Sequence, residues 1–102
     1  MSATDSYRDL TRNVTQNLAT LRSSTPGVMK AFGELGRAAT APDALDSKTK
    51  ELIALALGVA TRCDACIGFH TQALVKLGAT RQEVDETLGV ATYMGGGRFR
   101  RQ

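Results

Sequence analysis

Residues 46–78 read DSKTKELIALALGVATRCDACIGFHTQALVKLG, and this stretch decides the fold. Its first half is apolar nearly all round, with Leu52, Ile53, Leu55, Leu57 and Val59 separated by small Ala and Gly residues. Asp46 and Ser47 are both good N-caps, so the pattern predicts a helix from there to about Thr61. A helix with so little polar surface belongs in the middle of a bundle. After the short Thr61-Arg62 connection, a further helix is predicted from about Asp64 to Leu77, with Gly78 as its C-cap.

The flanks keep the same period. Tyr7, Leu10, Val14, Leu18 and Leu21 recur at steps of three and four over residues 5–22, which is one stripe of an amphipathic helix. Ser23-Ser24-Thr25-Pro26-Gly27 breaks it. Thr25 is expected to cap the next helix and Pro26 to take its first position, where an N–H has no helical partner anyway. Val28, Phe32, Leu35 and Ala39 form the stripe of that helix. It ends near Ala41-Pro42-Asp43, because a residue before proline is pushed out of the helical region. Beyond Gly78, Thr80-Arg81-Gln82-Glu83 is a capping box, and Val84, Leu88 and Ala91 are expected to face inward. Gly95-Gly96-Gly97 is expected to stop this helix ahead of a basic tail, residues 98–102. No segment alternates polar and apolar residues long enough for a strand. The fold class predicted is all-α, a compact bundle of five to six short helices forming one domain over residues 1–102.

Composition excludes several function classes. A chain of 102 residues has room for one folding unit. The longest apolar stretch, Leu52 to Ala60, has nine residues, whereas a bilayer needs about 20. The first residues, MSATDS, lack the basic and apolar regions of a secretory signal, so a cytoplasmic, reducing location and no membrane partner are expected. Thirteen Lys and Arg face ten Asp and Glu, for a net charge of +3. Arg98, Arg100 and Arg101 account for that excess and leave the body of the domain neutral. With no Trp and one Phe among those arginines, the tail reads as solvated, and no nucleic-acid partner is expected. Five short helices with small side chains bury little area apiece, so a homo-oligomer is expected.

The chemistry lies in Cys63, Cys66 and His70, the last being the one histidine of the chain. Steps of three and four place them within an arc of about 60° on a helix. The cysteines stand at or just before a helix start, where unpaired N–H groups and the dipole favour a thiolate. Two thiols so spaced can close a disulfide that an attacking thiol reopens, and an imidazole beside them can move protons. Glu51 lies on the apolar stripe one and two turns before Leu55 and Gly58, and a carboxylate there needs a partner. The short turn between the two helices brings His70 within its range. Alternatives stand beside this reading. The cysteines can be two small core residues, or Glu51, Cys63, Cys66 and His70 can be four zinc ligands, making a metal-binding helical module.

Lys50-Glu51-Leu52-Ile53-Ala54-Leu55-Ala56, Cys63-x-x-Cys66-x-x-x-His70 and Leu77-Gly78-Ala79-Thr80 together resemble the carboxymuconolactone decarboxylase family. Within it they are similar to the alkylhydroperoxidase D (AhpD)-like branch, as are the twelve-residue step from Glu51 to Cys63 and the later Tyr93-Met94-Gly95-Gly96-Gly97. The likeness covers about residues 28–97. It implies an all-helical domain that assembles into dimers, trimers or hexamers, with the thiols near a subunit interface. It also implies a peroxidase or disulfide oxidoreductase without a cofactor or metal. In that role Cys66 attacks a peroxide, Cys63 resolves the sulfenic acid, and Glu51 and His70 relay protons. A small oxidant and a thiol reductant of unknown identity would be its partners. Ala65 stands where AhpD has a histidine, so part of that relay is missing. The decarboxylases proper generally lack the cysteine pair; a cofactor-free decarboxylase with His70 as base is the other enzymatic alternative. Relatives usually continue after the glycine triplet into one more helix, whereas this sequence continues only as RFRRQ.

Overall fold

In the computed structural model, the backbone is described for residues 3–99 and the side chains for residues 7–95. Among the described residues there are five helices and no strand: α1 (Ala3–Ser24), α2 (Pro26–Thr40), α3 (Ser47–Ala60), α4 (Asp64–Lys76) and α5 (Arg81–Phe99). No described helix is long and apolar enough to cross a membrane.

The helix starts follow from local chemistry. Asp46 caps α3 by accepting from the Thr49 amide at 2.7 Å. Hydrogen bonding with Thr49, its side chain first and its amide second, together with nearby Lys48, holds the Asp46 carboxyl below its ordinary pKa. The capping box opens α5 reciprocally. The Thr80 amide donates to Glu83 Oε1 at 2.8 Å, and the Glu83 amide donates to Thr80 Oγ1 at 3.0 Å. The other oxygen of Glu83 takes Lys48 Nζ at 2.7 Å, tying the first turn of α5 to that of α3. This bond to Lys48, ahead of that to Thr80, lowers the Glu83 pKa, and it raises that of Lys48.

Three sequence expectations are corrected. Thr25 does not cap α2 with its side chain. Its hydroxyl instead donates at 2.8 Å to the Leu21 carbonyl, which also accepts the Thr25 amide at 2.7 Å, so Thr25 closes the end of α1, which runs to Ser24. Pro26 does take the first position of α2. The glycine triplet does not stop α5, which continues to Phe99. Glycine inside a helix costs only about 1 kcal/mol relative to Ala, and no proline follows to end propagation. Arg98 and Phe99 of the expected tail are therefore helical, and residues 100–102 lie outside the described residues. Finally, the α2 stripe does not face the core: Val28, Phe32 and Leu35 are about two-thirds exposed. α2 lies at the edge of the bundle, packed on α1 and lightly on α3, and its half-buried residues are Met29, Gly33 and Thr40.

α3 is central on one face, against α4 and α5, while its Ile53 and Leu57 remain exposed. Among the described residues, the enclosed side chains are Thr11, Leu55, Leu74 and Ala91, one from each of four helices, and Gly58 and Gly68 are buried at the helix crossings. So small a core leaves the bundle loosely closed, with a radius of gyration of 14.8 Å against about 13 Å for a compact chain of this size. α1 is held on α4 by a close crossing. Gln72 Nε2 donates to Thr11 Oγ1 at 3.3 Å, and the Thr11 hydroxyl donates to the Arg8 carbonyl at 3.0 Å. A Cβ on Gly68 would lie 2.5 Å from the Thr11 methyl group, so only glycine fits there. Gly68→Ala is expected to cost about 1–3 kcal/mol by overpacking. Thr11→Ser, which removes that methyl, should recover most of the loss in the double variant, as urea unfolding of the four proteins of the cycle will measure.

Candidate functional site

The link between α3 and α4 is three residues long, Thr61 to Cys63, and its hydrogen bonds dictate its shape. The Cys63 amide donates to the Gly58 carbonyl at 2.9 Å and the Arg62 amide to the Val59 carbonyl at 3.1 Å, the paired bonds of a Schellman motif. Arg62 takes the left-handed position at φ 59°. The same motif closes α4, where Ala79 bonds to Leu74 and Gly78 to Val75, and there a glycine fills the position at φ 74°. Glycine adopts this conformation freely, whereas a side chain costs about 1–2 kcal/mol. The residue just ahead of the first cysteine therefore carries backbone strain.

Cys63 has two structural duties. Its amide ends α3, and its sulfur caps α4 by accepting from the Cys66 amide at 3.3 Å. Cys66 stands in the first turn of α4, and the two cysteines form a disulfide with a Cα–Cα separation of 5.2 Å, within the range such bridges require. Both sulfurs thus sit at the positive end of α4, where a negative charge is favoured when the bridge is open.

Across from them, α3 presents Glu51, Leu55 and Gly58 on one face. Gly58 allows the close approach of the helices. A Cβ there would lie 3.0 Å from the Cys66 Cβ and 3.7 Å from the Cys66 carbonyl carbon. Two turns earlier on α3, Glu51 Oε2 meets His70 Nδ1 at 2.5 Å. An ionised carboxylate only accepts, so Nδ1 is the donor and Nε2 is the ring atom left for other chemistry. The two side chains are 13% and 30% exposed, which shields their bond from water without sealing the imidazole away. The lysines flanking this region turn elsewhere, Lys48 to Glu83 and Lys50 to the Ala41 carbonyl.

All four residues singled out in the sequence therefore fall on the α3–α4 pair, in two couples: Cys63 with Cys66, and Glu51 with His70. The alternative of a four-ligand metal site does not match this geometry. Among the described residues, no group of three or more His, Cys, Asp or Glu side chains is placed to hold a metal ion. Two contributors escaped the sequence reading. Gly58 was legible as an isolated glycine inside an apolar helix, a sign of close backbone approach. The left-handed Arg62 carries no such signal.

The sequence model of the carboxymuconolactone decarboxylase family matches residues 26–101. A crystal structure of a carboxymuconolactone decarboxylase family protein from Legionella pneumophila is 56% identical and superposes with a TM-score of 0.89, covering 91% of this chain and 83% of that one. An uncharacterized protein of Cupriavidus necator is 38% identical over 82% of this chain and 74% of its own length. Another, of Haemophilus influenzae, is 39% identical over 65% of this chain and 58% of its own.

Gly58→Val tests the contact between the helices. Its branched side chain would meet the Cys66 Cβ, with an expected loss of about 1–3 kcal/mol, measured by urea unfolding of the oxidised protein. An unchanged midpoint would mean that α3 and α4 do not approach so closely.

Proposed function

The chain belongs to the carboxymuconolactone decarboxylase family, and we propose that it serves there as a thiol-dependent peroxidase and disulfide oxidoreductase of the AhpD-like type. The observation that carries this reading is the hydrogen bond between Glu51 and His70 on the same two helices that hold the Cys63–Cys66 pair. An isolated disulfide staple has no use for a shielded acid–imidazole couple beside it.

The reaction follows from the atoms available. In the reduced protein the Cys66 thiolate attacks one oxygen of a hydroperoxide. The S–O bond forms, the O–O bond breaks, and the departing alkoxide takes a proton to leave as an alcohol. Cys63 then attacks the Cys66 sulfenic acid; the S–S bond forms, the S–O bond breaks, and hydroxide leaves as water after protonation. The dithiol loses two electrons and the peroxide gains them. An external thiol reverses the oxidation by attacking the disulfide and passing through a mixed disulfide. His70, oriented by Glu51, takes the Cys66 proton and supplies one to the leaving oxygen, directly or through water. Cys63 suits the resolving role because the first amides of α4 favour its thiolate. A cycling dithiol needs a reducing compartment, which agrees with a cytoplasmic location. The exposed Val28, Phe32 and Leu35 of α2 give copies of the chain an apolar surface on which to associate.

The test uses Cys63→Ser, which cannot resolve its own sulfenic acid. Treated with one equivalent of hydroperoxide and a sulfenic-acid trap, it is expected to carry a single adduct on Cys66 by mass spectrometry. Wild type should instead form the disulfide and lose two titratable thiols. A Cys63→Ser protein that keeps its Cys66 thiol and gains no adduct would overturn the peroxidase reading.

A further inference from the structure

α4 has a second face, turned away from α3. With Cys66 and His70 turned toward α3, the residues from Ile67 to Gln72 that lie about 100–240° further round the helix point to the opposite side. There α1 packs on α4 but does not reach α5. The gap is a cleft of about 890 Å³, floored by α4 and walled by α1 and α5, a size typical of small-molecule sites.

Its walls are apolar, from Tyr7, Ile67, Val75, Val84 and Leu88. Its charges are unbalanced: Arg8, Lys76 and Arg81 line it against the single carboxylate of Asp85. Asp85 is already bound to Arg81 at 2.9 Å. No acid among the described residues pairs with Arg8 or Lys76, and no described hydrogen bond involves either of their side-chain nitrogens. The C-terminal dipole of α4 favours a cation at Lys76, but it does nothing for Arg8 on α1. An apolar trough with two cations that no described acid pairs matches a ligand that has an aliphatic body and an anionic head.

The apolar stripe of α2 from a second copy fits the cleft less well. That helix carries Lys30 and Arg37, and its one acid, Glu34, faces Lys30 at 3.9 Å. Docking it would set cation against cation. We propose that the cleft between α1, α4 and α5 binds an aliphatic carboxylate. The chain lies along Ile67, Val75, Val84 and Leu88, and the carboxylate is held by Arg8 and Lys76. This site is separate from the cysteines and does not depend on the peroxidase reading.

Decanoate, below its aggregation concentration, is the probe for isothermal titration calorimetry with the whole protein. It should bind saturably, one per chain, and butyrate should bind at least tenfold more weakly because it lacks most of the apolar body. Arg8→Gln/Lys76→Gln alters two exposed side chains and should weaken decanoate about tenfold or more through the lost charge-assisted bonds. Thr71→Trp, which fills the cleft from its floor, should abolish binding. The loss of two titratable thiols on treatment with hydroperoxide should stay unchanged in both variants, which separates this outcome from the fate of the redox reading. No binding of decanoate, or binding that neither variant weakens, would overturn the proposal. So would a Thr71→Trp protein that falls from oligomer to monomer while wild type ignores decanoate, since a second copy would then occupy the cleft.

Discussion

The hydrogen bond from the Cys63 amide to the Gly58 carbonyl ties the end of one helix to the start of the next, and the site depends on it. It completes the turn that reverses the chain between α3 and α4. It also makes one residue both the terminus of α3 and the cap of α4, so the first sulfur has little freedom of its own. The second sulfur follows one turn later, and His70 one turn beyond that. Because Gly58 also lets α4 come close, the imidazole reaches Glu51 on the neighbouring helix. Four groups of useful chemistry are placed by one turn and one missing side chain.

That turn has an energetic cost, carried by the left-handed Arg62. The structure uses glycine at the equivalent position after α4, where nothing reactive follows, and a side chain just ahead of the disulfide. Strain of this kind persists where the surroundings over-determine the backbone. Here they do: two hydrogen bonds close α3, the Cys63 sulfur caps α4, and the disulfide spans the first turn.

Much of this was legible in the sequence because its signals are local. Asp46, the Thr80–Glu83 capping box and Gly78 mark helix ends through bonds that span three to five residues, and the structure makes each of them. The Glu51–His70 couple was legible for a related reason: a link of only three residues leaves the following helix few ways to lie, and both residues fall on the inner face of the pair. What was misread depends on competition or on distance. Thr25 had two helices to serve, and its hydroxyl bonded to α1 rather than α2. The glycines at 95–97 weaken a helix without ending it, since ending one takes a competing partner. The α2 stripe has the period of a core-facing helix, yet three of its large residues face outward. Periodicity identifies an apolar face but not what covers it. The loosely closed bundle and its bare cleft are likewise properties of packing, which no local pattern encodes.

If the α3–α4 unit is a working redox centre, the acid on α3 must act on the sulfurs of α4 through the imidazole to which it is hydrogen-bonded. The rate of disulfide formation by the reduced protein with hydrogen peroxide measures this, comparing wild type with Glu51→Gln, which keeps shape and removes charge. A proton relay predicts slowing of about 100-fold or more, the scale of general acid–base catalysis, with the unfolding midpoint nearly unchanged. Equal rates in the two proteins would contradict the account and leave the disulfide as a structural staple.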